Sequence, residues 1–156
     1  QLALGYAYFR GEGVEHDSEQ AVYWWQFVAR KGFAIAQTLH GYAYYSGEGV
    51  AQDIDQAVNW WRLAADQGEK DAQFFLGYAY YNGEGFDQNI EKATYWWRLA
   101  AQQGHLAAKL ALGPSHEKNE GVEKSLKLQD TILSFEQIKD MALQKICFWS
   151  SVQLLM

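Results

Sequence analysis

The stretch that decides the fold is Leu76-Gly77-Tyr78-Ala79-Tyr80-Tyr81-Asn82-Gly83-Glu84-Gly85-Phe86, followed by Trp96-Trp97 and then Ala100-Ala101 and Gly104. Its glycines and its Trp pair recur 36 residues upstream, and again 36 residues before that. Gly77 answers to Gly41 and Gly5, the Gly-Glu-Gly triplet to residues 47–49 and 11–13, and Gly104 to Gly68 and Gly32. The Trp pair answers to Trp60-Trp61 and Trp24-Trp25, and Gly113 carries the first glycine one period further. Independent landmarks sharing one period of this length define a repeat array built from one supersecondary unit.

Each period divides into two helices. In the middle unit Asp53 has the short acceptor side chain of an N-cap, with Gln56 three residues on as in a capping box. Gly68 supplies the left-handed position that ends the helix. Between them Ile54, Ala57, Trp60, Trp61, Leu63, Ala64 and Ala65 form a very broad apolar arc, leaving Asp55, Asn59, Arg62 and Asp66 a narrow polar face. An arc that wide predicts a helix packed on several sides, with Trp60 as a buried core indole. The other helix is predicted from about Ala34 to Ser46, with Gly41 in its middle. Glycine there costs about 1 kcal/mol relative to alanine, and close approach of a partner helix carrying an indole is the expected compensation. Gly-Glu-Gly ends this helix as a turn, with Val14, Val50 and Phe86 as plugs beneath it.

These residues resemble the Sel1-like repeat, an α/α unit related to the tetratricopeptide repeat. The third unit carries the pattern at Leu76, Gly77, Tyr80, Gly83, Gly85, Ala93, Trp96, Ala100, Ala101 and Gly104. Departures are His40 at a position held by Leu4, Leu76 and Leu112, Asn89 in place of the capping Asp17 and Asp53, and Phe86 in place of valine. The resemblance covers residues 1–113. It implies an all-α, right-handed α/α solenoid of about three 36-residue hairpins, with Tyr8, Tyr44 and Tyr80 at a buried tyrosine position. It also implies a bacterial adaptor or scaffold, often in envelope or host-contact settings.

Beyond Gly113 the pattern decays. Pro114 is expected to break the fourth first-helix, because proline lacks the amide donor and clashes with the preceding turn. Glu120-Gly121-Val122 still keeps the 36-residue register, so residues 114–156 read as an eroded fourth unit and a helical tail. Ile132, Leu133, Phe135, Ile138, Met141, Ala142, Ile146 and Trp149 offer one apolar side, expected to cap the open end of the array. An uncapped end would allow self-association. The chain opens at Gln1 inside a repeat, which suggests a longer array. The compartment stays open: envelope or secreted if a signal peptide was removed, otherwise cytoplasmic.

Composition narrows the function. With 49% hydrophobic and 21% charged residues, the chain of 156 residues is not a disordered polymer. Nineteen acidic residues against thirteen basic ones give a net charge of −6, so a counterion-releasing nucleic-acid binder is not expected. No run of 18 apolar residues is present, so no membrane span is expected. Cys147 is alone, which removes an intrachain disulfide and a thiolate metal cluster. His16, His40, His105 and His116 stand in no metal-binding spacing, and no metal or cofactor is expected. His40 reads as a core imidazole bonded to a backbone carbonyl or a Tyr hydroxyl. Ser115-His116-Glu117-Lys118 fits the Ser-x-x-Lys motif of penicillin-recognising enzymes, but the Ser-Asp-Asn and Lys-Thr-Gly partners are missing. No catalytic residue is assigned, and the chain reads as a protein-interaction module.

On the first helices Thr38, Tyr42 and Ser46 share one side, with Phe74, Tyr78 and Asn82 equivalent in the next unit and Tyr6 and Arg10 in the first. Related arrays line their concave wall with first helices, so these eight residues are expected to form a strip for an extended protein or peptide. Its constant element is a tyrosine ladder. Exposed tyrosines suit an interface, while packing between consecutive units is the rival reading of the same ring positions. The acidic row of Glu12, Glu48 and Glu84 is the alternative edge. Carbohydrate or cell-wall-fragment binding through exposed Tyr and Trp, and β-lactam or cell-wall hydrolysis, are the remaining alternatives.

Overall fold

The computed structural model describes residues 1–113; the eroded fourth unit expected from Pro114 on, the Ser115–Lys118 motif and the capping tail to Met156 lie outside the described residues. Seven α-helices and no strand are found among the described residues: α1 (Leu2–Arg10), α2 (Ser18–Ala29), α3 (Ala34–Ser46), α4 (Ile54–Asp66), α5 (Lys70–Asn82), α6 (Ile90–Gln102) and α7 (Leu106–Leu112). Each helix packs on the next in the chain, giving the hairpins α1/α2, α3/α4 and α5/α6 stacked one on another, with α7 on α6. The architecture is an α/α solenoid. α7 stops at Leu112, one residue before Gly113 and Pro114, whereas α3 and α5 run 13 residues.

Local chemistry sets the helix ends. Asp17, Asp53 and Asn89 each accept a backbone N–H three residues on, at 3.0, 2.9 and 2.8 Å. Asn89 therefore caps as the aspartates do, because the amide oxygen serves as the acceptor. Gly11, Gly47 and Gly83 end the first helices in the left-handed conformation, φ 68–72°. The second glycine of the triplet has a different task. A Cβ on Gly49 would collide with the Ser18 carbonyl of α2, and one on Gly85 would lie 3.1 Å from Val58 of α4. The turn thus seats each unit on the second helix of the unit before it.

The expected glycine–indole contact is present in all three hairpins. A Cβ on Gly5, Gly41 or Gly77 would stand 2.6–2.7 Å from the indole of Trp25, Trp61 or Trp97. The indole N–H of Trp61 donates to the Thr38 carbonyl at 3.2 Å, and that of Trp97 to the Phe74 carbonyl at 3.1 Å. In the second and third hairpins the indole therefore crosses its first helix with the ring edge tied to the backbone, whereas the Trp25 indole nitrogen of the first hairpin is buried without a hydrogen-bond partner.

Two sequence readings of the second helix need correction. Trp61, not Trp60, is the fully buried indole; Trp60 is half-buried, and Leu63 is 52% exposed. At about 100° per residue, Trp61 shares the direction of Ala57, Ala64 and Ala65, all fully or nearly fully buried, while Trp60 and Leu63 turn progressively away. His40 also departs from expectation. It is buried, but neither ring nitrogen has a hydrogen-bond partner; the rings of Tyr44 and Trp60 stand edge-on at 4.9 and 5.0 Å. The equivalent positions hold Leu4, Leu76 and Leu112, and the rings beside His40 offer no hydrogen-bond acceptor to it.

These contacts set up a double-mutant cycle. Trp61→Ala is expected to lose about 3–5 kcal/mol, the range for deleting a buried large aromatic, and Trp60→Ala clearly less. Gly41→Ala gains about 1 kcal/mol of helix propensity but forces apart a clamped indole at an overpacking cost of about 1–3 kcal/mol, so it lowers the melting temperature. Combined with Trp61→Ala, the Gly41→Ala penalty is expected to vanish; additive losses in denaturant melts would show that the two residues are not in contact.

Candidate functional site

The predicted strip divides in two. Tyr6, Thr38, Tyr42 and Phe74 are buried, at 3–6% exposure, so they are not solvent-facing ligand residues as expected. The physical reason is the stacking: the flank of a first helix about 100° from its glycine meets the neighbouring unit. Tyr42 packs at 6.3 Å against Phe75 of α5, and Tyr6, which also meets Trp25 of its own hairpin at 5.7 Å, clusters with Leu39 and Ala43 of α3. The tyrosine ladder belongs to the joints. Tyr8, Tyr44 and Tyr80, assigned to buried positions, are only half-buried. Tyr78 is half-buried too; the counterpart of Phe75 one period on is Ala111, a methyl in place of the ring that meets Tyr42.

The other half of the strip, Arg10, Ser46 and Asn82, is exposed, one residue per unit at the last turn of α1, α3 and α5. Each side chain lies by the turn that follows it. Arg10 approaches Glu12 at 3.4 Å, the Glu48 N–H donates to the Ser46 hydroxyl at 3.3 Å, and the Asn82 amide donates to Glu84 at 3.4 Å. Between units, the Tyr45 hydroxyl donates to the same Glu84 oxygen at 3.3 Å. Burial, then the Glu84 carboxylate and the Tyr78 hydroxyl, hold the Tyr45 phenol well above the usual tyrosine range. The strip and the acidic row, read from sequence as alternatives, thus merge into one edge of exposed variable side chains, turn glutamates and half-buried Tyr45, Tyr78 and Tyr81.

A second polar system lies inside, at the N-terminal ends of the first helices. Glu69 caps α5, accepting from the Ala72 N–H at 2.6 Å and the Asp71 N–H at 3.2 Å, with the Thr38 hydroxyl at 2.8 Å. Burial, with Asp71 close by, raises the Glu69 carboxyl above the ordinary glutamate value. His105 caps α7 with Nδ1 accepting from Ala108 N–H at 3.1 Å, so Nε2 carries the proton toward Asp71, 3.1 Å away. Its ring stacks on Phe74 at 4.6 Å. The cap and the residue beneath it are matched: hydroxyl under carboxylate in one joint, ring under ring in the next. Every donor and acceptor described here is engaged, which makes the cluster a joint. Sequence inspection missed it; the signal was that caps Phe33, Glu69 and His105 fall at one repeat position with residues 2, 38 and 74 thirty-one residues earlier.

Buried glutamines add a third tie. Gln37 donates to the Ala29 carbonyl of the preceding unit and accepts from Gln67 of its own at 2.7 Å; Gln73 repeats this with Ala65 and with Gln103 at 2.9 Å. Among the described residues no group of three or more His, Cys, Asp or Glu side chains is arranged to hold a metal, and no helix is long and apolar enough to cross a membrane. Ser115 and Lys118 lie outside the described residues.

A stacked α/α array with caps, ties between units and an exposed edge that varies from unit to unit defines a helical repeat scaffold. The Sel1 repeat family model matches residues 1–33, 34–69 and 70–105, and the chain belongs to that family. Its members are generally protein–protein interaction scaffolds and typically not enzymes. The chain is similar to a Sel1 repeat protein from Oxalobacter formigenes, 36% identical with a TM-score of 0.69 over 78% of this chain and 50% of that one. It is also similar to c5321, a protective antigen of uropathogenic Escherichia coli strains displaying an SLR fold, 35% identical with a TM-score of 0.72 over 82% of this chain and 30% of that one. The chain thus spans half or less of the length of these relatives. Curated proteins yield no match.

The Glu69 joint makes a pH-dependent prediction. A raised carboxyl means that ionised Glu69 is less favourable in the fold than in the unfolded chain. Its contribution is therefore present below the ordinary glutamate range and lost as pH rises through the folded value. Glu69→Gln, which keeps an acceptor but no charge, is expected to melt at least as high as the parent at pH 7.5, with the advantage shrinking below pH about 4. Glu69→Ala, lacking the cap, is expected to lose about 1 kcal/mol. A glutamine variant as weak as the alanine one at pH 7.5 would show that the charge itself is needed.

Proposed function

We propose that the chain is a protein-binding module of a scaffold, and that it takes an extended polypeptide along the edge made by the last turns of α1, α3 and α5. The observation that carries this reading is the sorting of residues by exposure. Residues shared by the units, the mid-helix glycines Gly5, Gly41 and Gly77, the second Trp of each pair and the buried alanines, are consumed by packing. Arg10, Ser46 and Asn82 differ from unit to unit, stand exposed, and recur once per repeat. A ligand running along the stack would meet cation, hydroxyl and amide in turn, with Tyr45, Tyr78 and Tyr81 as apolar footing. The rigid hairpins supply a preorganised surface, which reduces the ordering cost of binding. Fold alone does not select the partner, and the family resemblance supports the class of partner, a protein.

Photo-crosslinking tests this placement. A benzoyl-phenylalanine placed at Ser46 or Asn82 in the full chain, exposed to the proteins of its native source, is expected to form discrete protein adducts. The same residue at Asn59, on the exposed face of α4, is expected to form none. Adducts at Asn59 alone would move the surface to the second helices. Adducts at none of the three would remove the edge reading.

A further inference from the structure

His40 is a polar side chain in a slot built for leucine. It is 1% exposed, and both ring nitrogens are buried without a hydrogen-bond partner. One neutral tautomer leaves one donor and one acceptor unmet, a cost of about 1–3 kcal/mol per group. The charged groups and rings around it make the charged form worse. From its own helix Tyr44 presents a ring, from α4 Trp60 presents another, and the charge that acts on it is the Arg30 guanidinium at the end of α2. A cation near the Arg30 cation, with water excluded and no hydrogen-bond acceptor on either ring nitrogen, lacks the partners that would offset its desolvation.

We propose that His40 makes the α3/α4 hairpin an acid-labile joint: a proton on the imidazole opens this hairpin while the leucine-filled hairpin α5/α6 stays closed. The slot holds Leu4 in the first unit and Leu76 in the third, so the device is confined to the second. The burial and Arg30 together hold the folded imidazole down at about 4, against 6.5 in an opened chain. Because the folded value is the lower one, the stability of the neutral form is complete above pH about 6.5 and drains away as pH falls toward 4. By that difference the closed-to-open ratio falls about 30-fold between pH 8 and pH 5. Tyr45 and Ser46 ride on α3, so opening would also dismantle the middle of the binding edge; that consequence, unlike the joint itself, rests on the binding reading.

Native-state hydrogen exchange on the full chain, corrected for intrinsic rates at pH 7.5 and 5.0, measures opening helix by helix. The expected result is a selective loss of protection in α3 and α4 of about 30-fold at pH 5.0, with α5 and α6 losing much less. In His40→Leu, the residue native to the other units, that selective loss is expected to disappear. Equal loss in the parent and the leucine variant, or loss spread uniformly over all helices, would overturn the proposal. A leucine variant that fails to fold at pH 7.5 would overturn it too, since the neutral imidazole would then be a structural requirement. As an independent check on the parent, ring carbon and nitrogen shifts of His40 are expected to stay those of a neutral imidazole at pH 6 in the folded state; an imidazolium there would also refute the joint.

Discussion

The structure depends on an indole lying on a glycine. Trp25, Trp61 and Trp97 each rest where Gly5, Gly41 and Gly77 lack a side chain, and any Cβ there would overlap the ring. The glycine weakens its own helix, so the arrangement persists only because burying a whole indole contributes several times more than the propensity lost. The contact also fixes distance and register within a hairpin. With the N–H of Trp61 and Trp97 bound to a backbone carbonyl twenty-three residues earlier, the two helices cannot slide past one another.

Given rigid hairpins, the remaining question is how they stack, and different chemistry answers it at each level. At the turn, Gly49 and Gly85 allow backbone to sit against α2 and α4. In the middle, Tyr42 meets Phe75 and the buried glutamines link consecutive units. At the other end, the caps Glu69 and His105 settle on Thr38 and Phe74. Directional polar ties inside an apolar stack specify one register among many that burial alone would tolerate. Polarity at these joints is matched pair by pair, so the units are not interchangeable although their backbones are alike.

That non-equivalence is what gives a repeat array individual properties. His40 places a buried titratable ring in one hairpin of three, and Arg10, Ser46 and Asn82 place three different polar groups on one edge. Quasi-one-dimensional folds respond locally, because each unit's stability is its own plus that of its neighbouring interfaces. A perturbation at residue 40 is therefore felt first in α3 and α4, and a partner reading the edge samples each unit separately.

The sequence by itself determined the unit, its period, its helix caps and the pairing of glycine with indole, because these are local or lie within one 36-residue period where spacing is geometry. It did not determine which of two adjacent tryptophans faces the glycine, since neighbours about 100° apart both fit a broad apolar arc. Only the tertiary structure decided that Trp61 goes in and Trp60 flanks, and that Tyr6 and Tyr42 are joint residues instead of a ladder for ligand. In a solenoid the flank of a helix is covered by a unit one period away, so exposure there is a property of stacking. The same reason hid the Glu69, Asp71 and His105 joint: its members meet across units, and no one-dimensional pattern of polarity announces a contact made in three dimensions.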